Sequence, residues 1–245
     1  RQTLGSDTAL VPAAAYARLL ESTASELACP DLGLRLAQAQ DADVLGPLSV
    51  AIDNSATVGD AVECASRFLF AYTSSNSLVR EVDPLGQPGV TALVLSTTLE
   101  PGSPQASDLR LGLLHRVVRA RLSGSYGLRS AHLPHHPLAP VSRYTDFFGA
   151  DVRFGSDRAF LRVPTSLLAL PLPGANPVLR ELAVDYLTTH FREPGQTLAP
   201  RVRTLVGPML SDPPEVGEVA GLLHLHPRTL QRRLAEEGTT YAEIL

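Results

Sequence analysis

Residues 215–238 are E-V-G-E-V-A-G-L-L-H-L-H-P-R-T-L-Q-R-R-L-A-E-E-G, and their apolar pattern indicates two short helices joined by a tight turn. Pro227 pre-sets the first turn of the second helix, and Gly238 stops it. Ala220 supplies the small residue that two closely crossing helices require. We therefore predict a helix-turn-helix, whose inward positions are Val219, Ala220, Leu223, Leu225, Leu230 and Leu234.

The second of these helices has a polar face. At 100° per residue, Arg228, Gln231 and Arg232 lie roughly opposite Leu230 and Leu234. Two guanidinium groups and an amide suit guanine and adenine edges in the major groove of DNA. The alternative is an ordinary amphipathic helix pair with a solvated arginine face. The small residue, the turn, the proline and the inward leucines together favour DNA binding.

Upstream of this motif, turn-forming residues mark a domain boundary. Asn176-Pro177 begins a helix that runs to about Phe191 and stops at Pro194-Gly195. A second helix is predicted over about 198–210. We place the boundary at 193–197, which predicts a first domain over 1–193 and a second over 197–245.

The first domain mixes helical and strand periodicity. Helices are predicted over 11–27, from Pro30-Asp31 through Leu36, from Gly46-Pro47 to about Asn54, and over 106–122 and 141–148. Thr57 and Asp60 resemble a capping box, and Ala61, Ala65, Phe68 and Tyr72 form an amphipathic stripe behind it. Strands are predicted over 78–83, 90–100, 128–133, 152–154 and 159–163, and the second has apolar residues on both faces. The fold class is therefore an α+β domain followed by an all-α domain.

Composition excludes several classes of protein. The 245 residues are 44% hydrophobic and 19% charged, which is typical of a globular chain, and no apolar run is long enough for a membrane span. Two cysteines form no disulfide framework, which favours a reducing cytoplasm. A net charge of −4 argues against non-specific coating of nucleic acid but permits a local DNA-binding element. All 21 basic residues are arginine, as GC-rich codons would produce.

No residues form a recognisable catalytic or metal-binding pattern. His132, His135 and His136 lack neighbouring ligands at metal-binding spacing, so we predict that they lie in a solvated loop. His115 is predicted to be partly buried and hydrogen-bonded, with a haem-ligand or switch role as the alternative. Cys64 is predicted to be a core residue, with redox sensing as the alternative. The prediction is a protein that is not an enzyme and that uses no cofactor or metal.

Four segments carry a resemblance to a known family. Residues 219–245, which contain H-P-R-T-L-Q-R-R-L-A-E-E-G-T-T-Y-A-E-I-L, resemble the first helix-turn-helix of the AraC/XylS family of bacterial transcription regulators. An arabinose-binding-like regulatory domain is similar to three upstream stretches: C-P-D-L-G-L-R-L-A (29–37), L-G-P-L-S-V-A (45–51) and A-T-V-G-D-A-V-E-C-A-S-R-F-L (56–69).

The resemblance has consequences for particular residues. It places base-contacting positions at Arg228, Gln231 and Arg232, and phosphate contacts at Thr229 and Arg233. His226 departs from the capping serine usual in the family, and His224 stands where glycine is common.

The resemblance also implies a function. It implies an α+β effector domain followed by a partial DNA-binding domain with one helix-turn-helix, in a cytoplasmic protein that does not associate with membranes. The family joins two such units by a long helix, so we expect residues 1–245 to bind an operator weakly. Expected partners are double-stranded operator DNA, a small apolar effector, RNA polymerase and a second copy of the chain. The alternative is an effector-binding domain that acts through dimer or polymerase contacts without DNA readout.

Overall fold

The structure is a computed structural model, and it describes residues 13–40, 45–73, 75–97, 102–122, 124–191, 198–206, 214–223, 225–236 and 239–244. The chain forms two compact units, Arg1–Thr188 and Thr189–Leu245. The predicted boundary segment, 193–197, lies outside the described residues. Among the helices that are described, none combines the length and the apolar character needed to cross a bilayer.

Four helices open the first unit: α1 (Ala13–Glu26), α2 (Leu32–Ala39), α3 (Pro47–Asp53) and α4 (Val58–Phe68). The predicted capping box at α4 is confirmed, because the Thr57 hydroxyl accepts from the Asp60 backbone N–H and the Asp60 carboxylate accepts from that of Thr57, each at 3.1 Å. The amphipathic stripe predicted for this helix includes one residue that lies outside it. Tyr72 lies beyond the helix, after a 3-10 turn at Leu69–Ala71, and its side chain is exposed.

A five-stranded sheet forms the middle of the first unit. Its strands are β1 (Asn76–Val82), β2 (Val90–Thr97), β3 (Ser130–Leu133), β4 (Asp151–Phe154) and β5 (Ala159–Pro164), in the order β1-β2-β5-β3-β4. β3 and β4 are parallel, with helix α6 (Val141–Phe148) between them in sequence, and the other pairs are antiparallel. Residues 90–94 of β2 are all buried, which confirms that this strand is covered on both faces.

Helix α5 (Pro104–Arg121) packs closely against α2 because glycines stand at their contact. A Cβ atom on Gly33 would lie 2.3 Å from the carbonyl oxygen of Gln105, and one on Gly112 would lie 2.8 Å from the Cβ of Ala37. The Gly33 N–H donates to the side-chain oxygen of Gln105 at 2.7 Å. The two backbones therefore approach at a distance that only glycine permits.

The remaining helices are α7 (Pro177–His190), α8 (Leu198–Val206), α9 (Val216–Leu222), α10 (Pro227–Glu236) and α11 (Tyr241–Ile244). The predicted start of α7 is confirmed, because the Asn176 side-chain oxygen accepts from the backbone N–H groups of Val178 and Leu179. The second unit has a hydrophobic core of its own, formed by Leu198, Ala199, Val202, Val206, Val219, Ala220, Leu223, Leu230 and Leu234.

Candidate nucleic-acid interface

Helices α9 and α10 are joined by a short turn held by backbone hydrogen bonds. The Leu223 N–H donates to the carbonyl of Val219 at 3.1 Å, which closes α9. The Leu225 N–H then donates to the carbonyl of Ala220 at 2.9 Å, so the chain reverses within a few residues. Ala220 is fully buried at this point, and its small side chain leaves room for the second helix.

His226 directly precedes α10 and caps its first turn. Its carbonyl accepts from the backbone N–H groups of Thr229 and Leu230, at 2.9 and 3.0 Å. Its ring Nδ1 accepts from the Arg228 N–H at 3.3 Å, so the imidazole satisfies a donor that a capping serine would otherwise satisfy. His224, the other departure from the family pattern, lies outside the described residues.

The positions predicted to face inward lie in the core of the second unit. Val219, Ala220, Leu230 and Leu234 have no exposed surface, and Leu223 is also buried. Leu225 lies in the turn, is half-buried and packs against the same cluster. A helix that buries Leu230 and Leu234 turns its opposite face toward solvent.

The predicted contact residues lie on that outer side of α10. Arg228, Gln231, Arg232 and Arg233 are exposed, and Thr229 is half-buried. At helical spacing, Arg228, Gln231 and Arg232 share one face opposite the buried leucines. Thr229 and Arg233 lie toward its flank. The structure thus brings two guanidinium groups and an amide together on one exposed face.

Helix α11 packs against the core of the second unit through Tyr241 and Ile244. The sequence interpretation did not predict this helix. The Tyr241 hydroxyl donates to the carbonyl of Pro214 at 2.6 Å, and the Tyr241 ring packs against the core of the second unit. Thr240 and Glu243 form a reciprocal cap, in which the Glu243 carboxylate accepts from the Thr240 N–H at 2.8 Å. The T-x-x-E spacing of residues 240–243 was the signal that could have predicted this helix.

The prediction of a solvated loop is wrong for two of the three histidines. His132 is buried in β3, where its ring stacks on Phe160 with the centroids 4.2 Å apart. His135 reaches back to α5, and its Nε2 lies 3.1 Å from the carboxylate of Asp108. His136 is exposed. Among the described residues, no cluster of three side chains is arranged to hold a metal ion.

Asp108 is a fully buried carboxyl group with two partners. It accepts from the Tyr144 hydroxyl at 2.9 Å and pairs with His135. Burial raises the pKa of Asp108. Burial also opposes protonation of His135, but the hydrogen bond to Asp108 and its charge outweigh this and raise the pKa of His135. This cluster ties α5 to the segment that follows β3.

Two further sequence predictions concern single side chains. His115 is buried, more fully than predicted, and its Nδ1 forms a hydrogen bond of 2.8 Å with the Tyr126 hydroxyl. Cys64 is buried in α4, as a core residue should be, and burial raises the pKa of its thiol. A buried thiol with a raised pKa is poorly suited to reaction with oxidants.

The first unit has a recognised family affiliation. Residues 1–172 match the family described as "Arabinose-binding domain of AraC transcription regulator, N-term". The chain belongs to the AraC family of transcription regulators. Its AraC-family relatives include the HTH-type transcriptional regulator VirS of Mycobacterium tuberculosis, with 32% identity over 98% of this chain and 71% of VirS. The matched family and this relative are regulators rather than enzymes.

Two proteins of Pseudomonas aeruginosa extend the comparison of this AraC-family chain. The ornithine utilization regulator is 28% identical over 88% of this chain and 64% of its own length. The crystal structure of the transcriptional regulator CdpR superposes with a TM-score of 0.56 over 96% of this chain and 77% of that one, at 21% identity. At that identity, CdpR supports the fold alone.

Proposed function

We propose that this chain is a ligand-responsive bacterial transcription regulator in which α9 and α10 form a helix-turn-helix. Helix α10 enters the major groove of operator DNA, and a small molecule bound in the first unit modulates that binding. The observation that carries this proposal is the exposed face of Arg228, Gln231 and Arg232 on a helix whose opposite face is buried.

The chemistry of the face suits base recognition. An arginine donates two parallel hydrogen bonds to O6 and N7 of guanine, and a glutamine pairs in the same way with N6 and N7 of adenine. The major groove is wide enough to admit one helix. Thr229 and Arg233, at the flank of the face, are assigned to phosphate contacts that set the position of the helix without reading sequence.

Regulation requires that the effector bind two arrangements of the protein with different affinity. The effector site is assigned to the α+β unit, since this unit matches the regulatory domain of the family. RNA polymerase and a second copy of the chain are proposed as further partners.

The DNA-binding proposal is tested by selecting preferred duplexes from a randomised library with residues 1–245. Binding to the selected duplex and to a scrambled one is then measured by fluorescence anisotropy. We expect Arg228→Gln, Gln231→Ala and Arg232→Gln each to weaken binding to the selected duplex by about 5- to 150-fold, which corresponds to about 1–3 kcal/mol per lost base contact.

Binding to the scrambled duplex should change much less, because it uses no matched base contacts. Arg153→Gln is the matched control, since Arg153 is an exposed arginine on β4 of the first unit. Failure of the selection to enrich any sequence, at protein concentrations high enough to detect weak binding, would refute the proposal. So would selected-duplex affinities that are the same for all three variants and the control, an outcome that would favour action through protein contacts.

A further inference from the structure

A cavity of about 460 Å³ opens in the first unit among α2, α5 and α6. This volume is within the range of sites that bind small organic molecules, about 300–1,000 Å³. Most of the side chains that line it are polar or charged: Gln38, His115, Arg116, Arg119, Arg143 and Asp146. Phe147 and Ala120 add an apolar portion.

The wall has an excess of positive charge. It contains three arginines and one acidic residue, Asp146. Arg143 is paired with Asp31 at 2.7 Å, and Arg116 donates to the neutral carbonyl of Ala37 at 2.6 Å. The side chain of Arg119 forms no hydrogen bond or ion pair with the residues that the structure describes. Arg119 is therefore an exposed guanidinium group of the cavity wall that has no partner among the described residues.

His115 supplies a second unpaired donor. Its ring is buried, its Nδ1 contacts the Tyr126 hydroxyl at 2.8 Å, and its Nε2 has no partner within the described parts of the chain. Burial and the charge of Arg119 lower the pKa of His115 to about 4, and burial raises the pKa of Tyr126, so both groups are neutral near pH 7. A phenol that donates its hydrogen to Nδ1 leaves the ring proton on Nε2.

An N–H group that is buried without an acceptor is uncommon in folded proteins. His115 and Arg119 are one helical turn apart on α5, so both lie on the same side of that helix. One ligand carrying an oxyanion could accept from both. An aromatic or aliphatic body attached to the oxyanion would then have Phe147 and Ala120 as neighbours.

We propose that this cavity binds a small organic carboxylate, whose oxygens accept from Arg119 and from Nε2–H of His115 and whose apolar body contacts Phe147. This inference rests on the proposed function, in that the carboxylate is the effector of the regulator. It also revises the expectation of an apolar effector. An apolar hollow near Val62 and Leu78 has a volume of only about 40 Å³, which has room for a few water molecules and not for an acyl chain.

The test is titration calorimetry of residues 1–245 without DNA, in buffer with 150 mM NaCl. The probes are benzoate, phenylacetate and 3-phenylpropanoate, each compared with its neutral amide. We expect at least one carboxylate to bind about tenfold or more tightly than its amide, and Arg119→Gln to raise its dissociation constant at least about tenfold. Arg80→Gln, an exposed arginine on β1, is the matched control and should bind like the unchanged chain.

The role of His115 is tested without substitution, because a variant of this buried ring could misfold. In a ¹H–¹⁵N spectrum of the histidine side chains, the Nε2–H resonance of His115 should move when the carboxylate is added. The proposal is overturned if no carboxylate binds, if the amides bind equally well, if Arg119→Gln has no effect, or if that resonance stays in place. Since no DNA is present, these outcomes are independent of the selection experiment above.

Discussion

Arg162 of β5 and Asp83, which directly follows β1, form a buried ion pair. The guanidinium Nε and Nη2 donate to the two carboxylate oxygens, each at 2.7 Å, and Nη2 also donates to Gln87 at 3.0 Å. The Arg162 guanidinium holds the pKa of Asp83 far below its usual range despite burial. Bidentate geometry and further partners are the conditions under which a buried pair offsets its desolvation.

His132 lies close to this pair and should make the protein sensitive to acid. Burial, followed by the charges of Arg162 and Arg153, lowers the pKa of His132 to about 4 from an ordinary 6.5, while Asp151 and Asp83 act weakly in the opposite sense. Between these two values the unfolded chain binds more protons than the folded one. The stability contributed by neutral His132 is therefore present above about pH 6.5 and is lost as the pH falls toward 4.

We predict that His132→Gln reduces this sensitivity. The free energy of unfolding of the unchanged chain minus that of the variant should fall by about 2–3 kcal/mol between pH 7.5 and 4.5. Urea unfolding followed by circular dichroism at several pH values measures this difference. The same substitution at exposed His136 is the matched control. Parallel stability curves for the unchanged chain and His132→Gln would contradict the prediction.

At the scale of elements, the contact between α2 and α5 is the tightest one described above. We predict that Gly33→Ala destabilises the protein by about 3 kcal/mol, because the new methyl group would meet the backbone carbonyl of Gln105, which cannot rotate away. Thermal or urea unfolding measures the loss.

Gly221→Ala is a suitable comparison for Gly33→Ala. Gly221 also lies in a helix, α9, but a Cβ atom there meets nothing within 4 Å. Replacing it should leave stability unchanged or raise it by up to about 1 kcal/mol, since alanine favours helix formation. Equal effects of the two substitutions would show that the α2–α5 contact tolerates a side chain.

Local signals made several elements predictable from the sequence. The Thr57–Asp60 cap lies within one helical turn, and α6 was predicted over its observed range, Val141–Phe148. The outer face of α10 follows from helical periodicity alone, since it requires only that Leu230 and Leu234 be buried. These features depend on residues within about ten positions of one another.

Features built from distant segments could not be predicted in this way. The sequence predicts a solvated loop for His135, since no nearby residue identifies its partner, Asp108, which lies 27 residues earlier in the chain. The wall of the large cavity combines α2, α5 and α6, which lie far apart in the sequence. Periodicity identifies a helix face but does not identify which other helix it meets.

For the whole molecule, a net charge of −4 limits how DNA can be bound. A chain with this charge is repelled by phosphate on average, so attraction has to come from a local group of arginines such as those of α10. Under the proposed function, sequence preference and electrostatic attraction would therefore depend on the same short helix.

This leads to a prediction for Arg233, which is assigned to a phosphate contact. Arg233→Gln should reduce the slope of log K against log salt concentration by about 0.9 in magnitude, and should weaken binding to selected and scrambled duplexes by the same factor. Anisotropy titrations between 50 and 200 mM NaCl measure both quantities, again with Arg153→Gln as reference. A loss confined to the selected duplex would instead assign Arg233 to base contact.

Gly112 lets α5 approach the Cβ of Ala37 on α2, and the same α5 carries His115 and Arg119 farther along. A close-packed contact of this kind transmits strain, because little free space is left to absorb a shift between the two helices. A molecule bound in the cavity would therefore act on α2 and α5 together rather than on α5 alone.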